Sequence, residues 1–198
     1  RIHKSLQWKT RGIHEMQMHD SACFLTLTYD EENLPEDRNL VPKHVRDFMK
    51  RLRYYYSDKK ISWFGCGEYG ETRARPHYHL IIYGIGVHDF EDRQSYRGGK
   101  NQLWSSEKLS EIIWKKGFAT IGNATPTTIE YCCSYMLKEQ NQYLQTKEYD
   151  YIDQDTGEIF ERMKPMLFYP RKPALGLTWL KKYWRDLRKG YITLEGKK

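Results

Sequence analysis

Residues alternate in character along Cys23-Phe-Leu-Thr-Leu-Thr-Tyr29, a run rich in β-formers, and Asp30 to Pro35 then supply turn residues. This predicts a strand followed by a loop. Ahead of it, Trp8, Arg11, Glu15 and His19 recur at helical steps, so Leu6 to His19 reads as a polar helix. Pro42 opens a second helix whose Val45, Phe48, Met49, Leu52 and Tyr56 form an apolar stripe, ringed by Lys43, Arg46, Lys50, Arg51 and Arg53. That basic face is a candidate phosphate-tracking surface, although such faces are more often simply solvated. Two further β-rich runs, Ile61 to Tyr69 and His77 to Tyr83, flank Gly70-Glu-Thr-Arg-Ala-Arg-Pro76 and read as an antiparallel pair.

Residues 85 to 103 are rich in Gly, Asp and Arg and read as a surface excursion. Ser105 or Ser106 then caps a helix carrying Leu109, Ile112 and Ile113, Phe118-Ala-Thr-Ile121 is a short strand, and another helix runs from about Thr125 to Glu139. After the polar stretch Asn141 to Glu158, the chain is apolar again at Met166-Leu-Phe-Tyr169, turns at Pro170 to Pro173, and ends in a basic aromatic helix around Trp179 to Lys189. This order predicts an α+β fold with helices packed on an antiparallel sheet, not a parallel one. The 198 residues suit one domain over 1–198, with 1–20 as an N-terminal helical extension and 160–198 as a basic aromatic C-terminal segment.

Charge narrows the partners. Thirty-three Lys and Arg against 26 Asp and Glu give a net +7 spread along the chain, which favours a polyanion. The 16 tyrosines add rings on which bases can stack, although many such rings belong to a core. Cys23, Cys66, Cys132 and Cys133 form no CxxC pair, so neither a zinc finger nor a disulfide framework is indicated, and reduced thiols in a cytosolic protein are expected. No apolar run reaches the length of a membrane span, and Arg1-Ile2-His3-Lys4 is neither a signal peptide nor a natural start. Gly98-Gly99-Lys100 lacks the rest of a P-loop, so no ATP-driven helicase is encoded here.

Two constellations carry chemistry. In Pro76-His-Tyr-His-Leu-Ile-Ile-Tyr-Gly84, strand periodicity puts His77 and His79 on one face, a chelating arrangement. Glu68 shares the phase of Phe64 and Cys66 on the neighbouring run, and a hairpin brings its carboxylate towards the histidines; Glu71, in the connecting loop, competes for the same role. Two imidazoles and a carboxylate with open positions suit a catalytic divalent metal. A bare H-x-H is more often two half-exposed strand residues without a ligand. In the second, Tyr131, Tyr135 and Lys138 cluster on one side of their helix, away from Ile129, Cys132, Cys133 and Met136. Two hydroxyls one turn apart can address one phosphate, and Lys138 can stabilise a phenolate; as a lone residue it would simply be a solvated helix-end lysine. Arg73 and Arg75, beside the metal strand, are candidates for phosphate contacts.

Phe-Leu-Thr-Leu-Thr-Tyr29, Gly67-Glu-Tyr-Gly70 leading to Arg75-Pro-His-Tyr-His79, and Tyr131-x-x-x-Tyr135-x-x-Lys138 occur in that order. Together they resemble the HUH replication initiators of the microviruses, in particular the gokushovirus branch. Arg171-Lys-Pro-Ala-Leu-Gly176 is similar to a later Arg-Arg-Pro-Gly-Ile-Gly stretch of that family, with Ala174 and Leu175 departing from it. The resemblance implies an RRM-like, ferredoxin-like antiparallel sheet with flanking helices, the HUH endonuclease fold. It further implies nicking of single-stranded DNA at a phage origin, a 5′-phosphotyrosine link, a free 3′-OH for rolling-circle synthesis, and later rejoining. By the same resemblance His77 and His79 are metal ligands, Tyr131 and Tyr135 nucleophiles, and Lys138 an assistant, with Tyr135 preferred for the first cut. Glu68 as third ligand rests more on strand phase. The implied cofactor is Mg or Mn, and the implied partners are origin single-stranded DNA and host replication proteins such as a helicase, in the cytoplasm of a bacterial host. The rival readings are an HUH tyrosine transposase and, from another class, a non-catalytic single-strand binding module on an RRM-like sheet. A histidine-triad hydrolase is excluded, because Ile81 stands where its third histidine would be.

Overall fold

Strand alternation becomes structure along residues 22–29, where every second side chain is buried on one face of a sheet. A computed structural model of the chain describes residues 2–70, 75–99, 101–143, 151–152 and 157–187, the side chains of 2–4, 135–143, 151 and 186 excepted. Its helices are α1 (Ile2–Met16), α2 (Pro42–Tyr55), α3 (Pro126–Tyr143) and α4 (Leu177–Leu187). Its strands are β1 (Ala22–Tyr29), β2 (Ser62–Tyr69), β3 (Pro76–Tyr83), β4 (Gln94–Gly98), β5 (Asn101–Ser105), β6 (Gly117–Asn123), β7 (Tyr151–Ile152), β8 (Ile159–Phe160) and β9 (Met166–Phe168).

The main sheet has the order β4-β5-β6-β1-β3-β2-β9, and every pairing in it is antiparallel. Its centre, β6-β1-β3-β2, has the strand arrangement of a ferredoxin-like or RRM-like unit, because the crossover through α2 leaves room for β3 between β1 and β2. The fold is therefore α+β with an antiparallel sheet and flanking helices, as the element order predicts.

Both faces of the sheet are covered. Val45, Phe48, Met49 and Leu52 of α2 pack with Leu25, Leu27, Tyr78, Leu80 and Ile82 on one face, joined by Leu109, Ile113 and Trp114. On the other, Phe64, Cys66, Ile81 and Tyr83 meet Ile129, Cys132 and Cys133 of α3 and Leu175. Helix α1 closes this second layer. It approaches α3 so closely that a Cβ on Gly12 would lie 2.8 Å from Ile129 Cγ2, and Ser5 Oγ donates to the Cys133 carbonyl.

Residues 85–103 are not a surface excursion. Ile85, Val87 and Phe90 are buried, and β4 and β5 form a hairpin that extends the sheet. The hairpin is exposed along most of its length, so no buried face imposes an alternation that the sequence could reveal. The helix after Ser106 forms, but over Lys108–Trp114 it winds as a π-helix, with Lys115 N–H donating to the Ser110 carbonyl. Ser106 Oγ accepts from the Leu109 N–H as a cap, and the wider turn exposes Ile112 while burying Trp114.

Candidate active site

The register of the β2–β3 hairpin sets Glu68 directly across from His77, and Cys66 across from His79. Because cross-strand partners point to the same face, Glu68, His77 and His79 all project into the layer beneath α3. Their ligand atoms lie within 4.8 Å of one another, the one such cluster of three or more potential ligands among the described residues. Glu68 Oε1 is 2.9 Å from His77 Nε2 and 2.8 Å from His79 Nε2. The carboxylate and His79 are buried, with 4% and 7% of their surface exposed, whereas His77 is half-buried.

The outer nitrogens are held as well. His77 Nδ1 donates to the Arg75 carbonyl at 3.1 Å, and His79 Nδ1 pairs with Thr26 Oγ1 at 3.0 Å across the β1–β3 pairing. Such outer bonds fix the ring orientation of metal-ligating histidines. With its Nδ1 proton committed to a carbonyl, neutral His77 directs the lone pair of Nε2 at a carboxylate oxygen. Two acceptors at 2.9 Å repel each other unless a proton or a cation lies between them. Burial alone would push the Glu68 carboxyl up, but the hydrogen bonds from His77 and His79 outweigh it and hold it below the usual carboxylate range. Burial holds His79 below the usual imidazole value, which favours the neutral, ligating form. The donor set thus fits a divalent ion with nitrogen and oxygen ligands, and these residues can bind one.

Helix α3 brings the second constellation to the same place. Ile129, Cys132 and Cys133 face the sheet and are buried, and Cys132 Sγ lies 3.9 Å from the His79 carbonyl oxygen. Tyr131 falls off that stripe and stays 41% exposed, while its hydroxyl donates to Glu68 Oε1 at 3.2 Å. Its ring stands edge-on to His79, and Phe24 stacks flat on the other side at 5.4 Å between centroids. Tyr135 and Lys138 follow on the α3 backbone, but their side chains lie outside the described residues, as do Glu71 and Arg73 altogether. Arg75 is turned back onto the loop after β1, donating to the Tyr29 and Asp30 carbonyls and pairing with Glu31.

Thr26 and Phe24 are site residues that sequence reasoning missed. Both lie in the alternating run on the phase opposite to Leu25 and Leu27, and only the pairing of β1 with β3 reveals that this phase faces His79.

Relatives extend the picture. The chain is 33% identical to replication-associated protein ORF2 of Spiroplasma virus 4 over 70% of its own length and 45% of the relative's. It is 37% identical to replication-associated protein ORF4 of Chlamydia phage 1, over 69% and 35% of the two lengths, and 27% identical to replication-associated protein VP4 of Bdellovibrio phage phiMH2K, over 98% and 59%. The chain therefore spans about half the length of these curated relatives. No solved structure matches it. No helix among the described residues is long and apolar enough to cross a membrane. The profile of the replication-associated protein ORF2 family matches residues 22–140, a segment that contains Glu68, both histidines and both tyrosines. The motifs, the sheet order and this match agree: the chain belongs to the replication-associated protein ORF2 family, whose relatives named above are proteins of bacterial viruses.

Proposed function

We propose that this chain is a metal-dependent endonuclease that nicks single-stranded DNA at a phage origin through a 5′-phosphotyrosine, and later rejoins the strand, to initiate rolling-circle replication. The observation that carries the reading is the contact between the Tyr131 hydroxyl and Glu68 Oε1, the atom on which both imidazoles converge. A nucleophile and a cation-binding triad that meet at one oxygen suit phosphoryl transfer better than binding alone.

Magnesium or manganese held by Glu68, His77 and His79 supplies positive charge that polarises the scissile phosphate. Imidazole ligation mildly favours manganese in vitro. The remaining work falls to the chain's own residues. The phenol, with a reference pKa of about 10, is a weak nucleophile, so its placement matters most. The buried stripe of α3 holds Tyr131 against the strands that carry the triad. The phenolic oxygen bonds to phosphorus as the bond from phosphorus to the 3′ oxygen breaks. Tyrosine gives up a proton, the 3′ oxygen takes one, and the strand end is released as a free 3′-OH. One phosphodiester replaces another, so a 3′-OH can reverse the step and rejoin the strand without a nucleotide triphosphate. Tyr135 as second nucleophile, or as the first to cut, and Lys138 as the assisting cation follow from the motif. Host replication proteins such as a helicase would then extend the opened origin.

Single-stranded origin-like oligonucleotides incubated with manganese or EDTA, then run on denaturing gels, test the reading in the wild type, Tyr131→Phe, Tyr135→Phe and the double variant. A manganese-dependent protein–DNA adduct that disappears in the double variant is expected, and the single variants rank the two tyrosines. Cleavage without an adduct would indicate a hydrolytic nuclease, and neither product would favour a binding module.

A further inference from the structure

The face of the sheet that carries the triad continues beyond it. Thr28 pairs with His77 on one side and with Phe118 on the other, so the three side chains share a face. At about 4.8 Å per strand, Phe118 lies about 10 Å across the sheet from His77. Its β6 neighbours Ala119 and Ile121 are buried on the opposite face, yet the Phe118 ring is 66% exposed. The core cluster beneath α1 and α3, which covers this face elsewhere, draws no described residue from β4, β5 or β6. Tyr96 lies further along the same face, 40% exposed, with its hydroxyl 3.0 Å from Thr120 Oγ1. Short threonines separate the two rings, which leaves their flat faces accessible. Aromatic surface left in water beside a reactive centre is what unpaired bases need for stacking, whereas a duplex offers no free base face.

We propose that Phe118, with Tyr96 beside it, is a base-stacking site for single-stranded DNA that anchors the strand next to the phosphate held at the triad. The inference rests on the nicking reading for its direction, but stacking can be measured without any cut. The site takes any base, because stacking uses the π-face and not the hydrogen-bonding edge. It therefore contributes affinity and positioning, not origin sequence.

The test is fluorescence anisotropy with a labelled oligothymidylate in EDTA, where no cutting occurs. Phe118→Ala is expected to weaken binding roughly tenfold, and Phe118→Leu, which keeps apolar bulk, to weaken it similarly. Phe118→Trp should bind at least as tightly as the wild type. Tyr54→Ala serves as the control, since Tyr54 is 77% exposed on α2, against the other face of the sheet, and its loss should leave affinity unchanged. Oligonucleotides with an abasic spacer at successive positions should bind the wild type less tightly at one position, and the spacer there should make no difference to Phe118→Ala. Unchanged affinity in Phe118→Ala, equal losses in Phe118→Ala and Tyr54→Ala, or a loss indifferent to the spacer would overturn the proposal. A covalent adduct together with normal Phe118→Ala affinity would remove the stacking site and leave the nicking reading intact. The spacer effect without an adduct would remove the nicking reading and support the stacking site.

Discussion

Thr26→Val removes the hydroxyl that meets His79 Nδ1 and changes little else, since valine has nearly the same shape and an equal taste for a strand. His79 is buried, and its Nε2 is 2.8 Å from Glu68 Oε1, so no solvent is on hand to replace the lost partner. A buried polar atom left unsatisfied costs about 1–3 kcal/mol. The cost falls on the ligating geometry, because ring rotation is the escape open to an imidazole that has lost its outer bond. Converted at about 1.4 kcal/mol per decade, the expected loss of manganese affinity is roughly 5- to 150-fold, the range typical for partners that orient a ligand. Titration of manganese followed by the electron paramagnetic resonance of the free ion measures it directly. Thr26→Ser, which keeps the oxygen, should stay close to the wild type, and Glu68→Gln should lose more than Thr26→Val. If Thr26→Val binds manganese as tightly as the wild type while its melting temperature is unchanged, the outer bond does not orient the ligand and the reasoning fails.

Other consequences are testable by stability alone. Manganese at about a hundred times its dissociation constant should stabilise the wild type by about 2.7 kcal/mol, read as a higher melting temperature that EDTA reverses; an equal rise in His79→Ala would place the ion elsewhere. Gly12→Ala sets a methyl 2.8 Å from Ile129 Cγ2 at the α1–α3 contact, and should lower stability by about 1–3 kcal/mol in urea melts, whereas an unchanged midpoint would mean that the helices part freely. Glu15 is buried and accepts from Gly176 N–H at 2.8 Å and from His19 at 3.2 Å; burial alone would raise its carboxyl, but these bonds and one from Ser62 hold it below its ordinary value. Since the folded value is depressed, this contribution is present above the unfolded carboxylate value and lost as pH falls through the folded one. Glu15→Gln should therefore destabilise at pH near 7 by about 1–3 kcal/mol, with the gap to wild type closing below about pH 4; a gap independent of pH would show that the charge is not involved.

The site was legible where a short period fixes direction. His77 and His79 share a face because they are two apart in a strand, and Glu68 joins them because a hairpin of matching phase leaves it few other places to point. Tyr131 was legible for the complementary reason, as it falls off the stripe that Ile129, Cys132 and Cys133 bury. What escaped notice depends on distant pairing. Thr26 orients His79 from 53 residues away, and nothing local to the β1 run tells which neighbour its exposed phase will meet. The β4–β5 hairpin escaped because an edge exposed along most of its length carries no alternation. The π-helix escaped because the apolar stripe of Leu109, Ile112 and Ile113 assumes an α-helical turn, and the wider pitch rotates Ile112 out to solvent. Glu15 read as part of a polar helix face, yet it is buried by the turn that ends at Gly176, another long-range contact.

The two constellations are built on elements with different periods, and the contact between them is what makes a site of them. Strand pairing can hold the triad without α3, and α3 can form without the triad. The Ile129 and Cys132 side of the helix, seated on the β2–β3 layer, sets where Tyr131 falls relative to Glu68. On the α3 backbone, four residues further, Tyr135 stands about 6 Å along the axis. Under the proposed function the two tyrosines therefore meet the strand at positions about one helical turn apart. Alternating cleavage and transfer then needs the DNA to shift along the helix, or α3 to shift over the sheet, between the two steps. Of these, sliding the DNA breaks fewer contacts, because moving α3 would expose Ile129, Cys132 and Cys133, which are fully buried. A strand anchored through stacked bases can move by exchanging one base for the next on the same ring, whereas sequence-reading hydrogen bonds would have to break at every position.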